Sequence, residues 1–359
     1  MPNGILIVNK LAGWTSQDVA AKLRGVFHEK RVGHGGTLDP MATGVLPIFI
    51  GRATRAVPFF EHADKEYEAV LRLGLVTDTQ DITGRTLEEH PVDVTPEQLE
   101  AVLPRFRGEI QQIPPMYSAI KVNGQKLYAL ARQGKEIERQ PRPVTIFELK
   151  AIGNRQQAIG DGGREATGKA FPLRGRCPEG ADEVVPDSAP AGDGRTDCRG
   201  QSADWPRNDK FGSASPSDTC PLSPVTYHLK IHCSKGTYVR TLCHDVGRAL
   251  GCGGCMAALT RTRAGAYTLA ESHTLEEILA APDPEQLLLP VDSLFSDRPA
   301  LTVNEAGEKK LRNGASVPAK QPDGEYRVYA KSGEFLLLGQ VRSGELDTVK
   351  SFFDPTEKV

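Results

Sequence analysis

From Val225 to Cys233 apolar and polar residues alternate without a break. Val225, Tyr227, Leu229, Ile231 and Cys233 share one face, and Thr226, His228, Lys230 and His232 share the other. A period of two predicts a sheet strand with one buried face. Residues 5–8, 44–50, 66–75 and 144–152 are further apolar or alternating runs that predict strands. Helical spacing appears after Ser16, a residue type that caps helices, with Val19, Leu23, Val26 and Phe27 on one side. Thr95-Pro96-Glu97-Gln98 has the form of a capping box with proline in the first turn, and Leu99, Val102, Leu103 and Phe106 follow on one face. Residues 239–250 predict another helix, stopped by Gly251.

Two stretches break this texture. Residues 154–223 hold ten glycines and seven prolines, with nine basic and eleven acidic side chains that nearly cancel. So few large apolar side chains cannot offset the entropy of ordering the segment, which reads as a disordered insertion in a surface loop. From about residue 298 a small, mostly β pattern begins: a strand at 301–303, a helix capped by Asn304, and strands at 326–329 and 335–341 around the turn Lys331-Ser332-Gly333-Glu334. The expected organisation is a large domain over 1–297 and a small domain over 298–359.

Composition narrows the classes. With 39% apolar residues the chain can bury a sizeable core, and the formal net charge of -2 gives no global sign of nucleic acid, so any RNA surface must be a local patch. No run approaches a membrane span of about 20 apolar residues, and residues 1–8 lack the charged start of a signal peptide, so a cytoplasmic location is expected. Seven cysteines at irregular spacing argue against a disulfide framework, and Cys252-x-x-Cys255 lacks the second pair that a structural zinc site wants.

The densest chemical signal runs from Gly33 to Pro47: Gly-His-Gly-Gly-Thr-Leu-Asp-Pro-Met-Ala-Thr-Gly-Val-Leu-Pro. Glycines allow close approach of a ligand, and Pro40 holds Asp39 out of the helical region, so an irregular loop displays one carboxylate. The same composition also fits an Asp that closes an ordinary turn.

The surrounding motifs separate these readings. The loop resembles the active-site motif of the TruB-type pseudouridine synthases. Asn9-Lys10-Leu11-Ala12-Gly13-Trp14-Thr15-Ser16 resembles their first motif, with Leu11 in place of the usual proline. Lys65-Glu66-Tyr67, the stretch around Thr77-Asp78-Thr79-Gln80-Asp81, and Pro114-Pro115-Met116-Tyr117-Ser118-Ala119-Ile120-Lys121 follow in family order. So do Ser234-Lys235-Gly236-Thr237-Tyr238-Val239-Arg240-Thr241-Leu242 and Leu259-Thr260-Arg261-Thr262-Arg263. The likeness spans residues 3–153 and 224 to about 295.

The resemblance implies an α+β fold: a mixed, mainly antiparallel central sheet with flanking helices, plus a β-rich PUA-like C-terminal domain that binds RNA. It implies an isomerase that turns a T-loop uridine of tRNA (position 55) into pseudouridine after flipping the base. The bond from ribose C1′ to N1 is exchanged for one to C5 with no redox change, so no cofactor or metal is needed. Asp39 would be the nucleophile, attacking sugar or base or removing a sugar proton; the residues leave these routes open. Arg240 would pair with Asp39 and keep it ionised, and Tyr67 would stack on the base and move a proton. Tyr238 and Leu259 would line the base pocket, His34 would fill the vacated stack, and Asp81 would organise the network. The segment 113–142 would be a thumb that closes on the T-arm with Lys121, Lys126, Arg132, Lys135, Arg139 and Arg142. Lys65, Arg52, Arg55, Arg261 and Arg263 would add RNA contacts. The absence of basic tails favours a monomer without an obligate protein partner over a guide-RNA-dependent synthase. An RNA-folding chaperone, the reading from another class, would not need an ionised carboxylate facing RNA.

Overall fold

A computed structural model describes residues 1–118, 120–122, 124–152, 156–157 and 225–354. The expected insertion, 154–223, lies outside the described residues except for Gln156–Gln157, two residues paired against Val225–Cys233.

The strands that carry the fold are β1 (Gly4–Lys10), β2 (Val32–His34), β3 (Thr43–Ile50), β4 (Lys65–Leu73), β5 (Gly108–Gln112), β6 (Arg142–Ala151), β7 (Val225–Cys233) and β8 (Gly254–Ala264). They form a sheet in the order β1-β3-β8-β4-β7-β6-β5, with β2 beside β3. The β3–β8 pair is parallel and its neighbours are antiparallel. The alternation in β7 is realised residue by residue, its five apolar positions buried against the helices. Three helices cover that side of the sheet: α1 (Ser16–Val26), α2 (Pro96–Val102) and α3 (Val239–Ala249). Val19 and Leu23 of α1 are fully buried, and each such side chain contributes about 1.5–3 kcal/mol of apolar burial.

Local chemistry corrects several sequence expectations. Thr15, not Ser16, caps α1: its hydroxyl accepts from Asp18 N–H at 3.0 Å, and the Asp18 carboxylate accepts from Thr15 N–H at 3.1 Å. Ser16 is thereby freed for another task. Its Oγ accepts from Leu38 N–H at 2.8 Å and donates to Leu38 C=O at 3.1 Å, clamping the residue before Asp39 onto the helix. The expected strand 66–75 stops at Leu73 because Gly74 turns at φ +82°. The helix after Thr95 tightens into a 3-10 turn at Leu103–Phe106, where Pro104 has no N–H for an α-helical bond. Gly44 has φ +100°, and a Cβ there would lie 2.2 Å from the backbone oxygen of Arg261, so only glycine lets β3 and β8 approach this closely.

The C-terminal part is a five-stranded sheet with its own core, built from β9 (Ala300–Thr302), β10 (Val317–Pro318), β11 (Gly324–Tyr329), β12 (Phe335–Arg342) and β13 (Glu345–Ser351). Asn304 caps the intervening helix α4 (Glu305–Arg312). This part also shares a core with the other side of β1 and β3: Leu338 and Phe352 pack with Ile5, Val45, Phe49 and Phe295. Arg52 pairs with Asp354, and Arg55 donates to Ser351 C=O at 3.1 Å. These arginines bind the two parts of the chain together instead of facing solvent for phosphate.

The two neighbouring hydroxyls should separate in mutagenesis. Thr15→Ala removes a cap and should cost about 1 kcal/mol with turnover kept. Ser16→Ala strips both Leu38 backbone groups of a buried partner and should cost about 1–3 kcal/mol and lower turnover as well. Thermal unfolding and activity on the same preparations check both.

Candidate active site

The loop between β2 and β3 carries Asp39 to the mouth of the sheet, and α3 brings Arg240 in its first turn. Arg240 Nε lies 2.9 Å from Asp39 Oδ2. The guanidinium is buried and has three further acceptors: Tyr117 C=O at 2.9 Å, Thr79 C=O at 3.2 Å and Asp81 Oδ2 at 3.4 Å. A planar donor array suits such divided attention. The Asp39 side chain is 36% exposed, so one side is open while protein encloses the rest. Burial pushes its carboxyl above the ordinary range, Arg240 and Lys10 pull it down, and Asp81 adds to the rise.

Asp81 sits at the centre of its own small network. Its Oδ1 accepts from the Thr79 hydroxyl at 2.8 Å and from the Thr83 hydroxyl and N–H at 2.6 and 3.0 Å. Its Oδ2 faces Arg240. Tyr67 lies on the buried face of β4, in register with Arg261 of β8 and Ile231 of β7. Burial raises its phenol, so the hydroxyl keeps its proton at neutral pH. Leu259 is buried on β8, opposite Ala69. Tyr238 is the residue before α3, its phenol also raised by burial. His34 ends β2, half-buried, with Nδ1 unpartnered; burial and then the nearby Arg261 charge lower its pKa and keep the ring neutral.

Several basic residues expected to face RNA are used inside the protein. Lys65 is buried, its ammonium on the carbonyls of Glu61 and Ala63. Arg261 is 1% exposed, donating to Val45 C=O at 2.7 Å and Gly36 C=O at 3.2 Å. Arg263 pairs with Glu66 at 2.8 Å and donates to Gly265 C=O. The physical reason is shared. Turns leave carbonyls without ladder partners, at Gly36 before Asp39, at Glu61 and Ala63 before β4 and at Gly265 after β8, and long cationic side chains supply the missing donors. In the thumb-like segment, Arg139 donates to Pro114 C=O at 3.2 Å. The side chains of Lys121, Lys126 and Arg132 lie outside the described ones.

Two contributors were not singled out from sequence. Lys10 is fully buried under the loop, donating to the carbonyls of Ala42 at 2.6 Å, Leu11 at 2.9 Å and Pro40 at 3.2 Å. Burial brings its pKa down to about 8 against the pull of Asp39. Its place in the first motif was a signal that could have marked it. Gln112, the last residue of β5, pairs with the backbone of Tyr238, and nothing in its local sequence announces this.

Comparison with known proteins identifies the family of the chain. Residues 24–161 match the family model described as the N-terminal domain of TruB family pseudouridylate synthases. Residues 240–296 match the model of the tRNA pseudouridylate synthase B C-terminal domain, so the five-stranded sheet lies beyond both matches. The tRNA pseudouridine synthase B of Pseudomonas fluorescens (strain Pf0-1) is 36% identical over 349 residues, covering 94% of this chain and 92% of that protein. The enzyme of the same name from Dechloromonas aromatica (strain RCB) is 37% identical over 348 residues, covering 96% and 93%. Two solved structures share the fold at low identity. One, from an H/ACA RNP bound to a substrate RNA containing 2′-deoxyuridine, has 18% identity and a TM-score of 0.59, covering 98% of this chain and 86% of that one. The other, from a Cbf5-Nop10-Gar1 complex, has 20% identity and a TM-score of 0.59, covering 98% and 85%. Sharing more than a third of its residues with such relatives over nearly its whole length, the chain belongs to the TruB family of pseudouridylate synthases.

Proposed function

We propose that this enzyme converts the T-loop uridine of tRNA, at position 55, into pseudouridine, acting as a stand-alone protein with Asp39 as the essential group. The observation that carries the proposal is the Asp39–Arg240 pair, a carboxylate displayed by an irregular loop and held charged by a buried guanidinium. The bond from C1′ to N1 breaks, one from C1′ to C5 forms, C5 loses a proton and N1 regains one. Asp39 as a carboxylate serves this by attacking sugar or base or by taking a sugar proton. Arg240 keeps the charge available in a water-poor site, and Asp81 with its threonines holds Arg240 in place.

Tyr67 enters the reaction as a protonated phenol, which suits a base-stacking ring that relays a proton. Tyr238 and Leu259 serve as the walls of the base pocket, and the neutral His34 ring as filler for the stack that the flipped uridine leaves. The 113–142 segment and the C-terminal five-stranded sheet are the proposed RNA-binding parts. Arg261 supports the loop from beneath, Lys65 holds the turn before β4, and neither touches the RNA.

Asp39→Asn should abolish pseudouridine formation while tRNA affinity stays within about threefold of wild type. Mapping of pseudouridine in a bare transcript and a binding titration check this, and turnover by the variant would refute the role. Wild-type protein alone on that transcript should modify the T-loop uridine; a need for added guide RNA or protein would refute the stand-alone reading. The pH dependence follows from the raised Asp39 carboxyl. The reactive form is deprotonated, so single-turnover rate should be lost as pH falls, along an acid limb above the ordinary carboxylate range. An acid limb at an ordinary carboxylate pKa would contradict the enclosed setting of Asp39.

A further inference from the structure

Gln112 ends β5 as a buried residue, 2% exposed, at the point where the chain leaves the sheet for the 113–142 segment. Its Nε2 donates to Tyr238 C=O at 3.0 Å, and its Oε1 accepts from Tyr238 N–H at 2.8 Å. One side-chain amide thus does what a neighbouring strand does for a residue, exchanging both hydrogen bonds with its main chain. Tyr238 has need of it. It is the N-cap residue of α3, extended at φ −99° and ψ 104°, and no side chain caps the helix there. An uncapped first turn is free to fray unless something else holds it.

Arg240 stands two residues further on, in that same first turn. It is tied back to the thumb-like segment by Nη2 donating to Tyr117 C=O at 2.9 Å. The stretch 112–117 is therefore fastened to the start of α3 at both ends, at Gln112 to the main chain of residue 238 and at Tyr117 to the guanidinium of residue 240. Motion at either tie displaces the donor array that faces Asp39.

We propose that Gln112 is a positioning residue for the isomerisation, setting the main chain at Tyr238 and so the seat of Arg240 against Asp39, and making that seat depend on the 113–142 segment. The inference rests on the roles assigned above to Asp39 and Arg240. It differs from a purely structural reading, in which a well-satisfied buried glutamine contributes stability alone. A structural role lowers the unfolding temperature and leaves the rate per folded enzyme intact. A positioning role changes the chemistry: a loosened Arg240 opposes the burial of Asp39 less, so the acid limb of the rate moves to higher pH.

Gln112→Met keeps the length and removes both hydrogen bonds, and Gln112→Glu keeps an acceptor but loses the donor. Each is assayed by tritium release from tRNA labelled at uridine C5, under single-turnover conditions at saturating enzyme, across pH 5 to 9. Unfolding temperature and tRNA binding are measured alongside. Both variants should lose about tenfold or more in rate with tRNA affinity near wild type, and both acid limbs should shift upward. A folded variant with wild-type rate and acid limb overturns the proposal, as does a loss that appears only in tRNA affinity. If Gln112→Met is too unstable to assay, Gln112→Glu decides by its single-turnover rate against its tRNA affinity, since its own charge also acts on the acid limb, and failure of both to fold assigns Gln112 a structural role instead. Tritium release reports conversion at any uridine, so a wrong target site leaves the test intact. Release by Asp39→Asn would instead overturn the underlying mechanism, whatever Gln112 does.

Discussion

The guanidinium of Arg240 is the fixed point of the active site. Two carboxylates, Asp39 and Asp81, and two carbonyls, of Thr79 and Tyr117, converge on it from three segments of the chain. Withdrawing a charge from water is costly, and a buried cation persists only when its donors are well matched. Removing one partner from such a pair typically costs about 3–5 kcal/mol, because the other is left charged and unpaired. The arrangement therefore ties three segments to α3 at once. That makes it a structural necessity as well as the pull that opposes the effect of burial on the Asp39 carboxyl.

Beneath this pair lies a second tier of cations. Lys10, Lys65 and Arg261 are all buried; Lys10 and Arg261 donate to carbonyls of the Asp39 loop, and Lys65 to those of Glu61 and Ala63 in the turn before β4. A loop that must be irregular to display one carboxylate cannot satisfy its own backbone, and long side chains complete the hydrogen bonding from below. The charges have a further effect. Burial, with a smaller push from the Arg261 charge, brings both Lys10 and Lys65 down to about 8. In return, Lys10 opposes the rise in the Asp39 pKa. Support of the loop and tuning of its carboxylate come from the same atoms.

Much of the fold was legible because it depends on near neighbours. Alternation fixed β7, and the capping box fixed the start of α2 to the residue. Errors arose where two residues compete for one local role. Thr15 and Ser16 are both good caps, and the choice falls to Thr15 because Asp18 completes its box while Leu38, 22 residues from Ser16, claims the other hydroxyl. The basic residues were harder. Arg52, Arg55, Lys65 and Arg261 look like phosphate contacts in sequence, since charge and length are the same whether a side chain faces solvent or a buried carbonyl. Arg55 meets Ser351, 296 positions away, and Arg261 meets Val45 at a separation of 216.

By itself the sequence determined which family the chain resembles and which carboxylate its densest motif displays. The Gly-Gly-Thr-Leu-Asp-Pro loop, the order of the motifs and the strand and helix periodicities are written in adjacent residues, and backbone sterics read them locally. Tertiary structure alone decided what surrounds that residue. Asp39 and Arg240 are 201 positions apart, and Gln112 reaches across 126 positions to Tyr238. Whether a carboxylate stays ionised, whether a lysine serves RNA or a carbonyl, and whether a glutamine holds a helix start are questions of burial and donor geometry. Those quantities come into being only when distant segments pack, because desolvation acts on what lies nearby in space, regardless of distance along the chain.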